Sequence, residues 1–356
     1  MLKSLFPTLA RFRLMVQLAM LFVTVYGSVF VGTYMADKIS NNLPALSCAY
    51  DQMNGGYCVL VPTQHIIHHR IGEALVRAQQ LTFGMVLPLL MSFAAFFAFF
   101  FVLGKAFCGW VCPLGTLQEW IGKIGRRFGI GLRRFDDKDL GSVKRVRPMK
   151  WLLLLGLVFI LPLLTGLGVT PHSMGNPYCD ICPSRVATTL LTGNTEQLAL
   201  RLGDSVSFTF GAIANLLIGF MIVGALAIRQ PFCRICPLLA FNAVFQRLSP
   251  MRLSKKMHDN CGKCGICTEA CPMDIPEIAK EEGRKAYHED CTLCGRCAEY
   301  CPQDGVIQLK WGPFALFSSR RDYYKGKVKG ELPDGTVKLL KFVKNAAKPA
   351  AESAAG

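Results

Sequence analysis

The sequence predicts an α-helical membrane protein, four transmembrane helices followed by a small C-terminal cytoplasmic α+β domain. Three observations predict it. First, 51% of the 356 residues are hydrophobic. They include four stretches, Leu14–Ala36, Leu81–Gly104, Trp151–Thr170 and Ser207–Ile228, that contain no Asp, Glu, Lys, Arg or His. Each has about the 20 apolar residues needed to cross a hydrocarbon layer about 30 Å thick. Second, the charge is segregated. With the N-terminus inside, 35 of the 40 Lys and Arg fall in inside segments, and the two outside loops hold only Lys38, Arg70, Arg77, Arg185 and Arg201. That asymmetry orients the chain with both termini cytoplasmic. It also accounts for the net charge of +16 without a nucleic-acid partner. Third, from about Ser249 the composition turns soluble and two cysteine runs follow in tandem.

The elements follow in order. Span one has Lys3, Arg11 and Arg13 before it. Its apolar run exceeds the roughly 7–15 residues of a secretory h-region and no A-x-A site follows, so it reads as a retained anchor in the inner membrane. No lipidation motif replaces it. An external loop, Asp37–Gln80, carries Cys48, Cys58 and His65-Ile66-Ile67-His68-His69-Arg70. Span two is Phe-rich, with Pro88 as a kink, and leads into Phe107-Cys108-Gly109-Trp110-Val111-Cys112-Pro113-Leu114. A basic loop with an amphipathic helix over Leu117–Phe128 precedes span three, which contains Pro162. The second external loop holds Tyr178-Cys179-Asp180-Ile181-Cys182-Pro183, and span four ends at Phe232-Cys233-Arg234-Ile235-Cys236-Pro237. The expected division is a membrane domain over 1–248, a soluble domain over 249–310 and a partly disordered extension over 311–356. In that extension Tyr324–Leu339 is expected to form a hairpin around Pro333-Asp334-Gly335.

The soluble part carries the strongest motif. Cys261-x2-Cys264-x2-Cys267-x3-Cys271-Pro272 is followed by Cys291-x2-Cys294-x2-Cys297-x3-Cys301-Pro302. Each is the bacterial ferredoxin run, in which one tight loop offers three thiolates and the fourth cysteine leaves for the other cluster. Two [4Fe–4S] clusters are expected, one on Cys261, Cys264, Cys267 and Cys301, the other on Cys291, Cys294, Cys297 and Cys271. Structural zinc is the alternative, and it gives no reason for a repeated three-plus-one pattern.

The remaining eight cysteines divide by topology into two sets. Cys108, Cys112, Cys233 and Cys236 sit on the cytoplasmic rim, where an additional iron–sulfur cluster competes with buried thiols or zinc. Cys48, Cys58, Cys179 and Cys182 sit on the outer side, where a fourth cluster and one or two disulfides are both open. On this reading the two sets lie on opposite faces of a hydrocarbon core about 30 Å thick, too far for one efficient electron hop, so either the clusters sink into the bundle or a quinone or another subunit bridges the gap.

The Cys-Gly-Trp-Val-Cys-Pro-Leu sequence after span two, the Cys-Pro pair after span four and the double ferredoxin run together resemble the NapH/NosR-type membrane ferredoxins, over roughly residues 10–310. The resemblance implies an inner-membrane electron-transfer subunit of a quinol dehydrogenase or related complex. Such a subunit draws on quinol or a cytoplasmic reductant and feeds a periplasmic redox partner, with other redox subunits beside it. It places Cys108, Cys112, Cys233 and Cys236 on the family's membrane Cys-Pro motifs. The second pair here is x2 where the family often has x3, and the outer four cysteines are not a general feature of NapH-like proteins. A rival reading is an assembly or maturation factor that reduces a metal or cofactor during biogenesis of a respiratory enzyme; another is a redox sensor.

Weaker features complete the reading. His65, His68 and His69 could share a helical face as proton acceptors or haem ligands, with His172 as a possible companion. An interfacial helix with Ile66, Ile67, Ile71 and Leu75 on its membrane face explains them equally. Trp110, Trp120 and Trp151 read as interfacial belt residues. The uncharged spans speak against an ion pump, and no P-loop or dinucleotide fingerprint is present.

Overall fold

The protein is described from a computed structural model covering residues 9–31, 59–77, 82–130, 135, 138–195, 198–200, 203–246, 248–255, 261, 265–280, 283–286 and 288–321. Cys48, Cys58, Cys264 and the expected hairpin at Tyr324–Leu339 lie outside these residues.

Helix α1 spans Leu9–Val31. The chain resumes in α2, which runs through Leu60–His65, a π-helical stretch Ile66–Gly72 and Glu73–Val76. Among the described residues, three helices are long and apolar enough to cross a membrane: α3 (Phe83–Leu103), α5 (Val143–Gly166) and α8 (Ser205–Ala227). Helix α1 has 23 residues. Its Arg11 and Arg13 lie within the helix, so α1 starts earlier than the apolar stretch alone predicts.

Helix α5 likewise begins eight residues before the expected Trp151, because Ser142 caps it by accepting the Arg145 N–H. Its first turns therefore carry Lys144, Arg145, Arg147 and Lys150. Ahead of Pro162, whose ring would crowd the Val158 carbonyl, α5 widens into a π stretch over Leu154–Ile160.

Three shorter helices share a common start: α4 (Pro113–Arg127), α7 (Pro183–Leu191) and, after the last long helix, α9 (Pro237–Phe245). Each starts at the proline of a Cys-Pro step. Proline at the first helical position forgoes only an N–H that would lack an intrahelical partner. It also drives the preceding residue to an extended ψ. Cys112, Cys182 and Cys236 accordingly share one backbone conformation, ψ 118°, 118° and 121°, at the N-cap. The amphipathic helix expected over Leu117–Phe128 starts four residues earlier, at Pro113.

The soluble domain is an antiparallel sheet in the order β2-β1-β3-β4, with β1 Met251–Lys255, β2 Gly283–Ala286, β3 Ile307–Trp311 and β4 Phe314–Ser318. Leu253 pairs with Leu309 across β1 and β3. Both pack with Ile275, Leu293 and Ile307 in the core. Strand β4 belongs to the same sheet, so the domain runs past residue 310. Ser319 extends it by donating its N–H to Ile307 O and its hydroxyl to Gln303 O.

This domain is stapled to one end of the bundle. Asp290, wholly buried, binds Arg147 at 2.7 Å and Lys150 at 2.5 Å from α5. Lys105, just past α3, donates to Glu289 O. Arg234 meets Asp274 at 2.5 Å, and Arg229 donates to Glu269 O at 2.8 Å. Glu119 of α4 lies between Arg13 of α1 and Arg296 of the soluble domain.

Candidate iron–sulfur sites

In the soluble domain the crossed ligand pattern is visible in the fold. One cavity is lined by Cys261, Cys267 and Cys301, a second by Cys271, Cys291, Cys294 and Cys297. Cys301 thus faces the first run and Cys271 the second. Gly265 and Gly295 follow the middle cysteine of each run at φ 73° and 76°. There a side chain would be strained, and the left-handed turn sends the chain into the short helix that presents Cys267 or Cys297. The Leu293 N–H donates to Cys291 Sγ at 3.4 Å.

Below this domain lies the set Cys108, Cys112, Cys233 and Cys236. Cys108 lies within the π-helical turn Phe107–Val111 and Cys112 caps its C-terminal end. Cys233 sits in a single 3-10 turn ahead of α9. Asn242 donates to Cys108 Sγ at 3.5 Å and Gln118 Nε2 to Cys233 Sγ at 3.3 Å. Burial, reinforced by Cys108, pushes the Cys233 thiol up to about 12. A thiol so placed becomes a thiolate only when a metal supplies the compensating charge. Side-chain N–H groups aimed at sulfur are the donors that stabilise such thiolates. The residues therefore fit a cluster.

Of the third set, Cys179 and Cys182 lie in and after the short helix α6 (Pro177–Ile181), and both are buried. Cys182 belongs to one hydrophobic cluster with Leu154 and Val158 of α5, against which Cys108, Cys112 and Cys236 also pack. It is near enough for its charge to act on Cys236. Of the alternatives left open for the outer set, the described pair follows the one in which it sinks into the bundle: the Cys179-x2-Cys182 loop is buried, and α7 packs Val186 and Ala187 against Ala214, Ile218 and Met221 of α8.

The same clamp also occurs twice. Gln64 donates to Cys179 Sγ at 3.1 Å and accepts the Tyr178 N–H at 3.2 Å. Gln118 donates to Cys233 Sγ at 3.3 Å and accepts the Phe232 N–H at 3.1 Å. Both Gln–Cys pairs are 115 residues apart. The helices bearing the glutamines are anchored alike, by a glycine against backbone. A Cβ on Gly72 would stand 2.5 Å from Gly166 Cα, and one on Gly125 2.4 Å from Leu226 O.

Comparison with known proteins fits this geometry. The family described as "4Fe-4S binding domain" matches residues 85–131 and 210–256, and the "4Fe-4S dicluster domain" family matches 260–307. YccM of Escherichia coli strain K12, named for electron transport, is 30% identical over 191 residues, 52% of this chain and 46% of that protein. The ferredoxin-type protein NapH of Haemophilus influenzae is 28% identical over 185 residues, 51% of this chain and 53% of that protein. The regulatory protein NosR of Stutzerimonas stutzeri is 27% identical over 166 residues, 46% of this chain and 19% of that protein. The chain is similar to NapH/NosR-type ferredoxin proteins. It spans about half the length of YccM and NapH and about a fifth of NosR. No solved structure matches it.

Both matched families are 4Fe–4S families, and the described residues include three helices long and apolar enough to cross a membrane. The soluble and helical parts meet at the cysteines. Trp110 Nε1 donates to Leu293 O at 3.0 Å, and a Cβ on Gly109 would stand 2.5 Å from Thr292 O. Trp110 is therefore a docking residue, where a membrane belt was expected.

Lys105 lies between Cys291 and Cys108, its ammonium lowered to about 8 by burial against their attraction. Burial favours the neutral form of Glu119, but Arg296, Arg13 and Lys123 outweigh it and hold the carboxyl at about 2. Sequence reasoning missed Gln64, Gln118 and Asn242. A signal for the first two existed: Gln64 stands six positions after Cys58, as Gln118 does after Cys112.

Proposed function

We propose that this NapH/NosR-like protein relays electrons across the inner membrane, between quinol or a cytoplasmic reductant and a periplasmic redox partner. It acts as one subunit of a larger redox complex. The chain crosses four times, α1 being the fourth span, with both termini cytoplasmic. Two [4Fe–4S] clusters occupy the soluble domain, on Cys261, Cys264, Cys267 and Cys301 and on Cys291, Cys294, Cys297 and Cys271. A third is held by Cys108, Cys112, Cys233 and Cys236. A fourth is held by Cys179 and Cys182 with Cys48 and Cys58 completing the set.

One observation carries this reading. Cys108 and Cys236 border two buried clusters at once, the ferredoxin core that contains Cys271, Cys291, Cys297 and Cys301, and the bundle cluster that contains Cys182. Sulfur ligands therefore follow one another from the soluble domain to the interior of the bundle. They divide into shorter steps a hydrocarbon layer of about 30 Å that no single hop would cross efficiently. The clusters supply the redox chemistry; the chain spaces them, donates N–H groups to their sulfurs and keeps water away.

Anaerobically purified full-length protein in liposomes tests it. About sixteen irons per chain are expected for four clusters, and an impermeant reductant on the ferredoxin side should reduce an impermeant acceptor on the other. The Cys179→Ser/Cys182→Ser variant should block that transfer while the ferredoxin clusters still reduce. About eight irons, or transfer undiminished in the variant, would overturn the relay.

A further inference from the structure

We propose that His68, His69, Glu73 and His172 form a binding site for one divalent first-row transition-metal ion, at the end of the bundle away from the ferredoxin domain. The site is separate from the cysteine sets and does not depend on the relay.

One ligand atom from each of the four side chains lies within 4.8 Å of the other three. Ligands at about 2.0–2.2 Å from an ion stand about 3.4 Å apart in a tetrahedron and about 4.2 Å when opposed, so the widest pair has to close by at most about 0.6 Å for opposed ligands and about 1.4 Å for a tetrahedron, within reach of side-chain rotation. The rings are already gathered, with centroids 4.0 Å apart for His68 and His69, 4.7 Å for His68 and His172, and 5.3 Å for His69 and His172.

Two backbone features assemble them. The first is the π-helical stretch Ile66–Gly72. Glu73 donates its N–H to His68 O, one residue further along than an α-turn would place it. His68 and Glu73 thereby stack on one face, with Glu73 Oε1 also 2.7 Å from His69 Nδ1. Single π turns of this kind recur at functional sites.

The second is a pair of glycines around His68. A Cβ on Gly175 would stand 2.3 Å from His68 Nδ1, and one on Gly166 would stand 2.4 Å from His68 O. Gly166 lets α5 approach the π stretch. Gly175 lets the loop carrying His172 close over a buried imidazole. His172 arrives from about a hundred residues away and is exposed, which leaves the site open to solution.

The donor set names the class of ion. Three imidazoles and a carboxylate, with no sulfur, suit zinc, iron, copper or nickel better than calcium or magnesium.

The test uses untagged, cluster-loaded full-length protein equilibrated anaerobically with Zn(II) and then desalted. Wild type should retain one zinc per chain more than His172→Gln, with iron content unchanged in both. His172 is exposed, so that substitution leaves the core intact, and His69→Gln provides a second variant with the same expected loss. Zinc-edge absorption should show nitrogen or oxygen neighbours at about 2.0–2.2 Å and no sulfur near 2.3 Å. Equal zinc retention in wild type and both variants, or sulfur neighbours around the zinc, would overturn the site.

Discussion

Around Gln118, four cysteines lie among the described residues and the "4Fe-4S binding domain" family matches both segments that supply them. Around Gln64, the same clamp holds Cys179, but two of the expected cysteines fall outside the described residues and no family match reaches the segment. A histidine and glutamate cluster stands one helical turn beyond it. The difference teaches that the bundle uses one device twice. One Gln side chain receives a backbone N–H from the Cys-Pro loop and gives an N–H to its sulfur, fixing the loop on a helix anchored by glycine. What surrounds the device differs, and so the two copies can be broken separately.

The largest effects come from removing ligands. Cys233→Ser/Cys236→Ser and Cys179→Ser/Cys182→Ser should each lose about four irons per chain, read by elemental analysis. If the second variant keeps wild-type iron, the clamp at Gln64 holds no cluster and the likeness is architectural only.

Next comes the docking seam. Glu119→Gln leaves Arg13 and Arg296 buried without their carboxylate. Breaking a buried pair in this way costs on the order of 3–5 kcal/mol, visible as faster proteolysis of the ferredoxin domain. The Glu119 carboxyl is lowered from 4.5 to about 2. Its stabilisation is therefore present above about pH 4.5 and is lost as pH falls through about 2, a dependence the glutamine variant should lack.

Smaller again are the glycine anchors. Gly72→Ala and Gly125→Ala force a Cβ into backbone, at a cost of roughly 1–3 kcal/mol. Thermal scans followed by cluster absorbance should show Gly72→Ala releasing only the Gln64-side iron. Equal loss from both sides would show that the two clamps are not independent.

The smallest effects are on potential. Gln64→Leu and Gln118→Leu remove one N–H···S donor each, and Lys105→Gln removes a positive charge beside Cys291 and Cys108. All three should lower cluster potentials with iron content unchanged, in redox titrations followed by EPR. An unshifted potential in Gln64→Leu alone would separate the two copies.

The ferredoxin cysteines were legible because ligand spacing is dictated by cluster geometry and survives in the sequence as a run. The long helices were legible because apolar length has to match a hydrocarbon thickness. The depth of Cys182 was not. Its segment reads as an external loop by composition, and only packing of Val186 and Ala187 on α8 draws it inward. Gln64 and Gln118 were hidden because a glutamine carries no chemical signature until its partner sulfur, 115 residues away, is placed beside it. His172 was left as a possible companion of the other histidines; π-helical register and Gly175, neither readable from composition, bring it to them.

The basic residues at the ferredoxin end have a consequence in time. Lys105, Arg147, Lys150, Arg229 and Arg234 all bond to groups of a domain that is synthesised after every long helix. While the nascent chain is still lengthening, the carboxylates and carbonyls of that domain are not yet there to meet these cations. The arrival of Asp274, Glu289 and Asp290 then pairs Arg234, Arg147 and Lys150 with carboxylates. Assembly of the holoprotein is thereby ordered, with the helical scaffold first and the soluble electron carrier locked on last.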